Sequence, residues 1–99
     1  VAIWNPIPNY IGRQEPAPGF WGAGRTPLVI AKQLADGSWS EPRVIEDAPD
    51  AGYCYTAIYA DDQGLLLSYC AGQASQGDVV CLQRLKIVRI AQADIDSLG

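Results

Sequence analysis

Short β-prone runs cut at close intervals by turn residues constrain this chain more than any other feature. Pro27 to Leu34 (PLVIAKQL) runs into Ala35-Asp36-Gly37-Ser38, whose Asp-Gly pair is the strongest short-range hairpin signal. Trp39 to Glu46 (WSEPRVIE) is the return strand, and Pro42 puts its first half at an edge or an irregular position. Asp47 to Gly52 turns again, and Tyr53 to Ala60 (YCYTAIYA) is rich in residues that suit a pleated surface. Asp61-Asp62-Gln63-Gly64 is a tight turn leading to Leu65 to Ala71 (LLLSYCA), a continuous apolar run expected of a strand buried on both faces. After the polar stretch Gly72 to Asp78, Val79 to Ala91 reads as a long strand, alternating from Leu82 onward. Ala93 to Leu98 has room for one helical turn.

Upstream, Val1 to Trp4 is a short strand closed by Asn5-Pro6-Ile7-Pro8. Residues 5–24 hold prolines at 6, 8, 16 and 18 and cannot be helical. The aromatics Tyr10, Phe20 and Trp21 favour an ordered loop packed over something, in a connection long enough to suggest function. The expected fold class is therefore all-β. Local pairing of neighbouring strands gives antiparallel meanders in two units, 1–47 with its long loop and 53–91, followed by a tail, 92–99. Two such meanders in series resemble two blades of a β-propeller.

Charge and chemistry exclude several roles. Seven basic residues face eleven acidic ones, for a net charge of −4. Lys32, Arg43, Arg84, Lys86 and Arg89 are scattered, so no phosphate-tracking face exists and no nucleic acid is expected as partner. The longest uncharged apolar runs, such as Gly64 to Ala71, are too short for a membrane-spanning helix. There is no histidine, which removes the commonest general base and metal ligand and any Ser-His or Cys-His pair within the chain. Cys54, Cys70 and Cys81 are odd in number and lack zinc spacing, so they read as buried free thiols, with one pair open to oxidation if strands bring two face to face. No metal and no cofactor are expected. The chain opens on Val1, carries no methionine and shows no basic-then-apolar leader, so the expectation is a piece of a longer protein with no secretory signal in this stretch.

Gly52-Tyr53-Cys54-Tyr55-Thr56-Ala57, then Asp-Asp-Gln-Gly and Leu-Leu-Leu-Ser-Tyr-Cys, resembles the C-terminal blades of sialidases. Gly24-Arg25-Thr26-Pro27-Leu28 strengthens the likeness, and Asp36-Gly37-Ser38-Trp39 looks like a degenerate form of the Asp-box turn of the sialidase repeats. Leu85 to Ile90 looks like the family's closing strand. The resemblance covers roughly Val1 to Ile90 and implies about two blades of a six-bladed propeller.

The resemblance further implies hydrolysis of terminal sialic acids, or of a related acidic sugar. Arg25 matches the third of the family's three carboxylate-binding arginines, and Tyr55 matches the nucleophilic tyrosine. A neutral phenol can approach an anomeric carbon bearing a carboxylate, whereas a carboxylate nucleophile would be repelled. A phenol titrating near 10 needs an adjacent base, and a guanidinium clamps a carboxylate in two parallel hydrogen bonds while staying charged. The family's glutamate that buttresses the first arginine falls at Cys70, a departure from the pattern.

Each residue also has a plain reading. Arg25 can be a surface arginine, Tyr55 a strand aromatic, and Tyr53, two residues away on the same expected strand face, competes for the nucleophile's place. Glu41 and Glu46 flank a strand and read as solvated. Two arginines, the activating glutamate and the acid/base aspartate have no counterpart here, so the chain alone is expected to be inactive. Its partners would be a sialylated or acidic glycan and either the missing blades or further copies of itself. The alternatives are a non-catalytic carbohydrate-binding propeller and a structural two-blade unit that oligomerises.

Overall fold

The Asp36-Gly37 reversal forms as its residues require. In the computed structural model, which describes residues 1–6, 25–48 and 50–99, Gly37 sits at φ +88°, a left-handed conformation that glycine adopts without penalty. The Asp36 carboxylate accepts the Ser38 N–H and hydroxyl at 2.9 and 2.5 Å, tying the turn to itself. The Tyr10, Phe20 and Trp21 loop expected from sequence lies outside the described residues.

The described residues form an all-β chain of two three-stranded antiparallel sheets, each in sequential meander order. The first holds β1 (Ala2–Trp4), β2 (Leu28–Ala31) and β3 (Arg43–Glu46). The second holds β4 (Ala51–Asp61), β5 (Gly64–Gln73) and β6 (Arg84–Ala91). A single 3-10 turn (Ala74–Gln76) follows β5, and a one-turn helix α1 (Gln92–Asp96) follows β6. In the first sheet Ile3 opposes Ile30; in the second Leu67 opposes both Ile58 and Val88.

The pleat decides which side chains meet. Alternate β5 residues Leu65, Leu67, Tyr69 and Ala71 share one face and are all buried. Leu67, Tyr69 and Ala71 cluster with Leu28, Ala51 and Tyr53, while Leu65 clusters with Ile30, Ile95 and Leu98. Ile3, Ile45 and Ile90 pack against both clusters, so the two sheets bury their facing sides on each other. Each fully buried aliphatic side chain of this kind stabilises by about 1.5–3 kcal/mol. The tail is held as well: Arg43 donates to the Ser97 hydroxyl at 2.8 Å, and Lys32 donates to the Asp96 carbonyl at 3.0 Å.

Two sequence expectations are corrected. The run Leu65 to Ala71 is not buried on both faces, because Leu66, Ser68 and Cys70 on its outer face are only partly covered. The last strand begins at Arg84, not Val79. Asp78 is the reason: its carboxylate accepts the Gln73 N–H and the Arg84 guanidinium, both at 2.8 Å, and holds the intervening chain as a loop. That loop lies so close to Gly72 that a Cβ there would come within 1.9 Å of the Val80 carbonyl oxygen. Among the described residues no helix is long and apolar enough to cross a membrane.

Candidate functional site

A β-bulge builds the site. The β4–β5 register pairs Cys54 with Cys70 and then Ala57 with Ser68, so Tyr55 and Thr56 together oppose Tyr69. Tyr55 takes the extra backbone rotation at φ +56°, a left-handed conformation that costs a non-glycine residue about 1–2 kcal/mol. The bulge also breaks the alternation: Tyr53 is 4 % exposed and Tyr55 69 %. The expectation that both tyrosines share a strand face is therefore corrected; Tyr53 belongs to the core, Tyr55 to the surface.

Arg25 approaches the bulge from the start of the β2 segment. Its carbonyl accepts the Tyr53 N–H at 2.8 Å, docking it beside β4. The following residues are anchored in turn, Thr26 by its hydroxyl to the Ala48 carbonyl at 2.9 Å and Pro27, after a cis peptide bond, by its carbonyl to the Asn5 amide at 3.0 Å. The Arg25 guanidinium carbon lies 5.9 Å from the Tyr55 ring centroid, within reach of a cation–π attraction of about 0.5–1 kcal/mol at an exposed position. The neighbouring Cys54 side chain raises the arginine's pKa further, against the opposing effect of burial. Among the described residues the ion pairs are Arg84–Asp78, Lys86–Glu46 and Arg89–Asp61, none of which uses Arg25.

Behind this pair lie the thiols. The Cys54 and Cys81 sulfurs are 3.6 Å apart and both buried, and half-buried Cys70 packs against them. All three are free. Burial pushes the Cys54 thiol up, more than the neighbouring Arg25 lowers it. Cys70, the position that departs from the expected glutamate, thus packs against a buried pair of thiols. No group of metal-ligating side chains occurs among the described residues.

A second polar cluster was not legible in the sequence. The Tyr69 hydroxyl donates to the Glu46 carboxylate at 2.6 Å, and the Lys86 ammonium donates to the same oxygen. Glu46 is half-buried rather than solvated, which corrects the sequence reading. Its partners lie on β5 and β6, so no local pattern announces them. With Tyr53, Gln73, Asp78 and Arg84 it lines a cleft of about 310 Å³. Burial first, then the Glu46 charge, pushes the Tyr53 phenol up to about 12 and raises Tyr69 as well. This cleft is larger than the concavity around Ile58, Leu67 and Ile87, yet Arg25 and Tyr55 do not line it, and its two cations, Arg84 and Lys86, are already paired with Asp78 and Glu46. Arg25, which is in none of the ion pairs among the described residues, and the exposed phenol are at the bulge, which makes that the better candidate for binding an anion.

No protein-family model matches the chain, and comparisons with curated proteins and with solved structures also find no match.

Proposed function

We propose that this chain supplies Arg25 and Tyr55 to the acidic-sugar site of a sialidase-like propeller, of which the two sheets are two blades. The observation that carries the reading is the Arg25–Tyr55 pairing: a residue just before β2 and one on β4, both singled out by the resemblance, lie with guanidinium and ring centroid 5.9 Å apart at a strained bulge. On this reading Arg25 takes the sugar carboxylate in a charge-assisted, bidentate hydrogen bond. The Tyr55 phenol oxygen attacks the anomeric carbon as the glycosidic bond breaks, and water then releases the sugar from tyrosine. The base that takes the phenol proton and the acid that protonates the leaving oxygen come from the remaining blades, so the chain alone binds without turnover.

A binding-only propeller is the second reading, and Cys70 favours it. A buried thiol cluster where a carboxylate would stand offers no negative charge to orient an arginine.

The test is titration of N-acetylneuraminic acid into the isotopically labelled chain, followed by NMR, alongside an assay with a fluorogenic sialoside. The expected result is movement of the Arg25 side-chain and Tyr55 resonances without hydrolysis. Movement confined to the Glu46–Lys86 cleft, or none, contradicts the proposal; hydrolysis abolished by Tyr55→Phe contradicts the inactivity of the chain alone.

A further inference from the structure

The sulfur pair behind Arg25 has no role in the chemistry above, although its geometry is specific. Cys54 and Cys81 are 7 % and 6 % exposed, their sulfurs are in contact at 3.6 Å, and they come from different structural elements, β4 and the loop before β6. Cys70, directly across from Cys54 on β5, is the more exposed of the three.

We propose that Cys54 and Cys81 form a dithiol modification site, which a hydroperoxide oxidises to an intramolecular disulfide. One sulfur, as thiolate, attacks a peroxide oxygen; the O–O bond breaks, and hydrogen peroxide leaves a sulfenic acid and one water. The second thiol attacks the sulfenic sulfur, its proton leaves with the hydroxyl as a second water, and the sulfur–sulfur bond closes. Two thiols are oxidised and one peroxide is reduced to two waters. The partner of Cys54 is Cys81 and not Cys70, because Cys81 supplies the sulfur already in contact. The reaction is faster at higher pH, since the thiolate is the attacking form. This stands independently of the acidic-sugar reading.

The test is to treat the folded chain with hydrogen peroxide, alkylate the remaining thiols and map the peptides. The expected result is loss of two thiols, a Cys54–Cys81 link, alkylated Cys70, the same link in Cys70→Ser, and reversal by dithiothreitol. A link through Cys70, cross-linked dimers without an internal bond, or sulfinic acid on Cys54 or Cys81 overturns the proposal.

Discussion

The Arg25 guanidinium faces the Tyr55 ring at 5.9 Å because a left-handed residue, φ +56°, interrupts β4 at Tyr55. Without the bulge, Tyr55 would alternate in step with Tyr53 and enter the core. Backbone strain of this kind collects at functional sites, where a side chain must be aimed against the local rule.

Stability and site geometry should therefore part company at Tyr55. Tyr55→Gly relieves the left-handed strain and loses only an exposed ring contact, so it is expected to be neutral or stabilising by up to about 1 kcal/mol. Tyr53→Ala, two residues earlier, empties a buried site and is expected to cost about 3–5 kcal/mol. Urea unfolding of both variants checks this, and similar losses in the two would contradict the bulge.

The Glu46 cluster makes a separate prediction. Tyr69→Phe keeps the ring and removes one hydrogen bond to a half-buried carboxylate, an expected loss of about 1.5–3 kcal/mol. Lys86→Ala removes a half-exposed partner from the same oxygen and is expected to cost about 1 kcal/mol or less. A larger loss for lysine than for tyrosine in equilibrium unfolding would reverse the assignment.

Both ends of the pH range should weaken the fold. Hydrogen bonds hold Asp78 (from Arg84 first), Asp61 (from Arg89 first) and Asp50 (from the Ser75 hydroxyl first) below the ordinary carboxylate range. Their contribution is present above the unfolded value near 3.8 and is lost as pH falls through the lower folded values. Tyr53 runs the other way: the folded phenol, raised to about 12, keeps its proton while the unfolded one ionises near 10. Stability is therefore expected to fall as pH rises from about 10 to about 12. Thermal melts across pH should show both limbs, with a shallower acid limb in Asp78→Asn. Acid limbs of equal slope would remove Asp78 from the account.

Much of this was legible locally, and what was not depended on distant partners. Asp36-Gly37 and Gly64 marked their turns because the preferences there are set by adjacent residues. Tyr55 carries no mark of its bulge; a strict period-2 reading of YCYTAIYA puts residues 53 and 55 together, and only the register against β5 separates them. Val79 to Leu82 looked like strand because its residues are apolar. Asp78 ends that pattern through bonds to Gln73 and Arg84 that composition does not display. Glu46 looked solvated for the same reason.

The close approach of that loop gives a further test. Gly72→Ala places a methyl group against a backbone carbonyl that cannot swing aside, an expected loss of about 1–3 kcal/mol or more. Gly77→Ala has open space but φ +84°, an expected loss of about 1 kcal/mol. Comparable unfolding midpoints for Gly72→Ala and the parent chain would show that the loop stands off from β5.

Affinity for N-acetylneuraminic acid, measured by NMR titration in the parent chain and in Arg25→Ala, tests the central claim most directly. Loss of a charge-assisted hydrogen bond is worth about 1.5–3 kcal/mol, so Arg25→Ala should weaken binding by roughly tenfold to a hundredfold, while Arg84→Ala should leave it unchanged. Equal affinity in the parent chain and Arg25→Ala would contradict an acidic-sugar site at Arg25 and Tyr55.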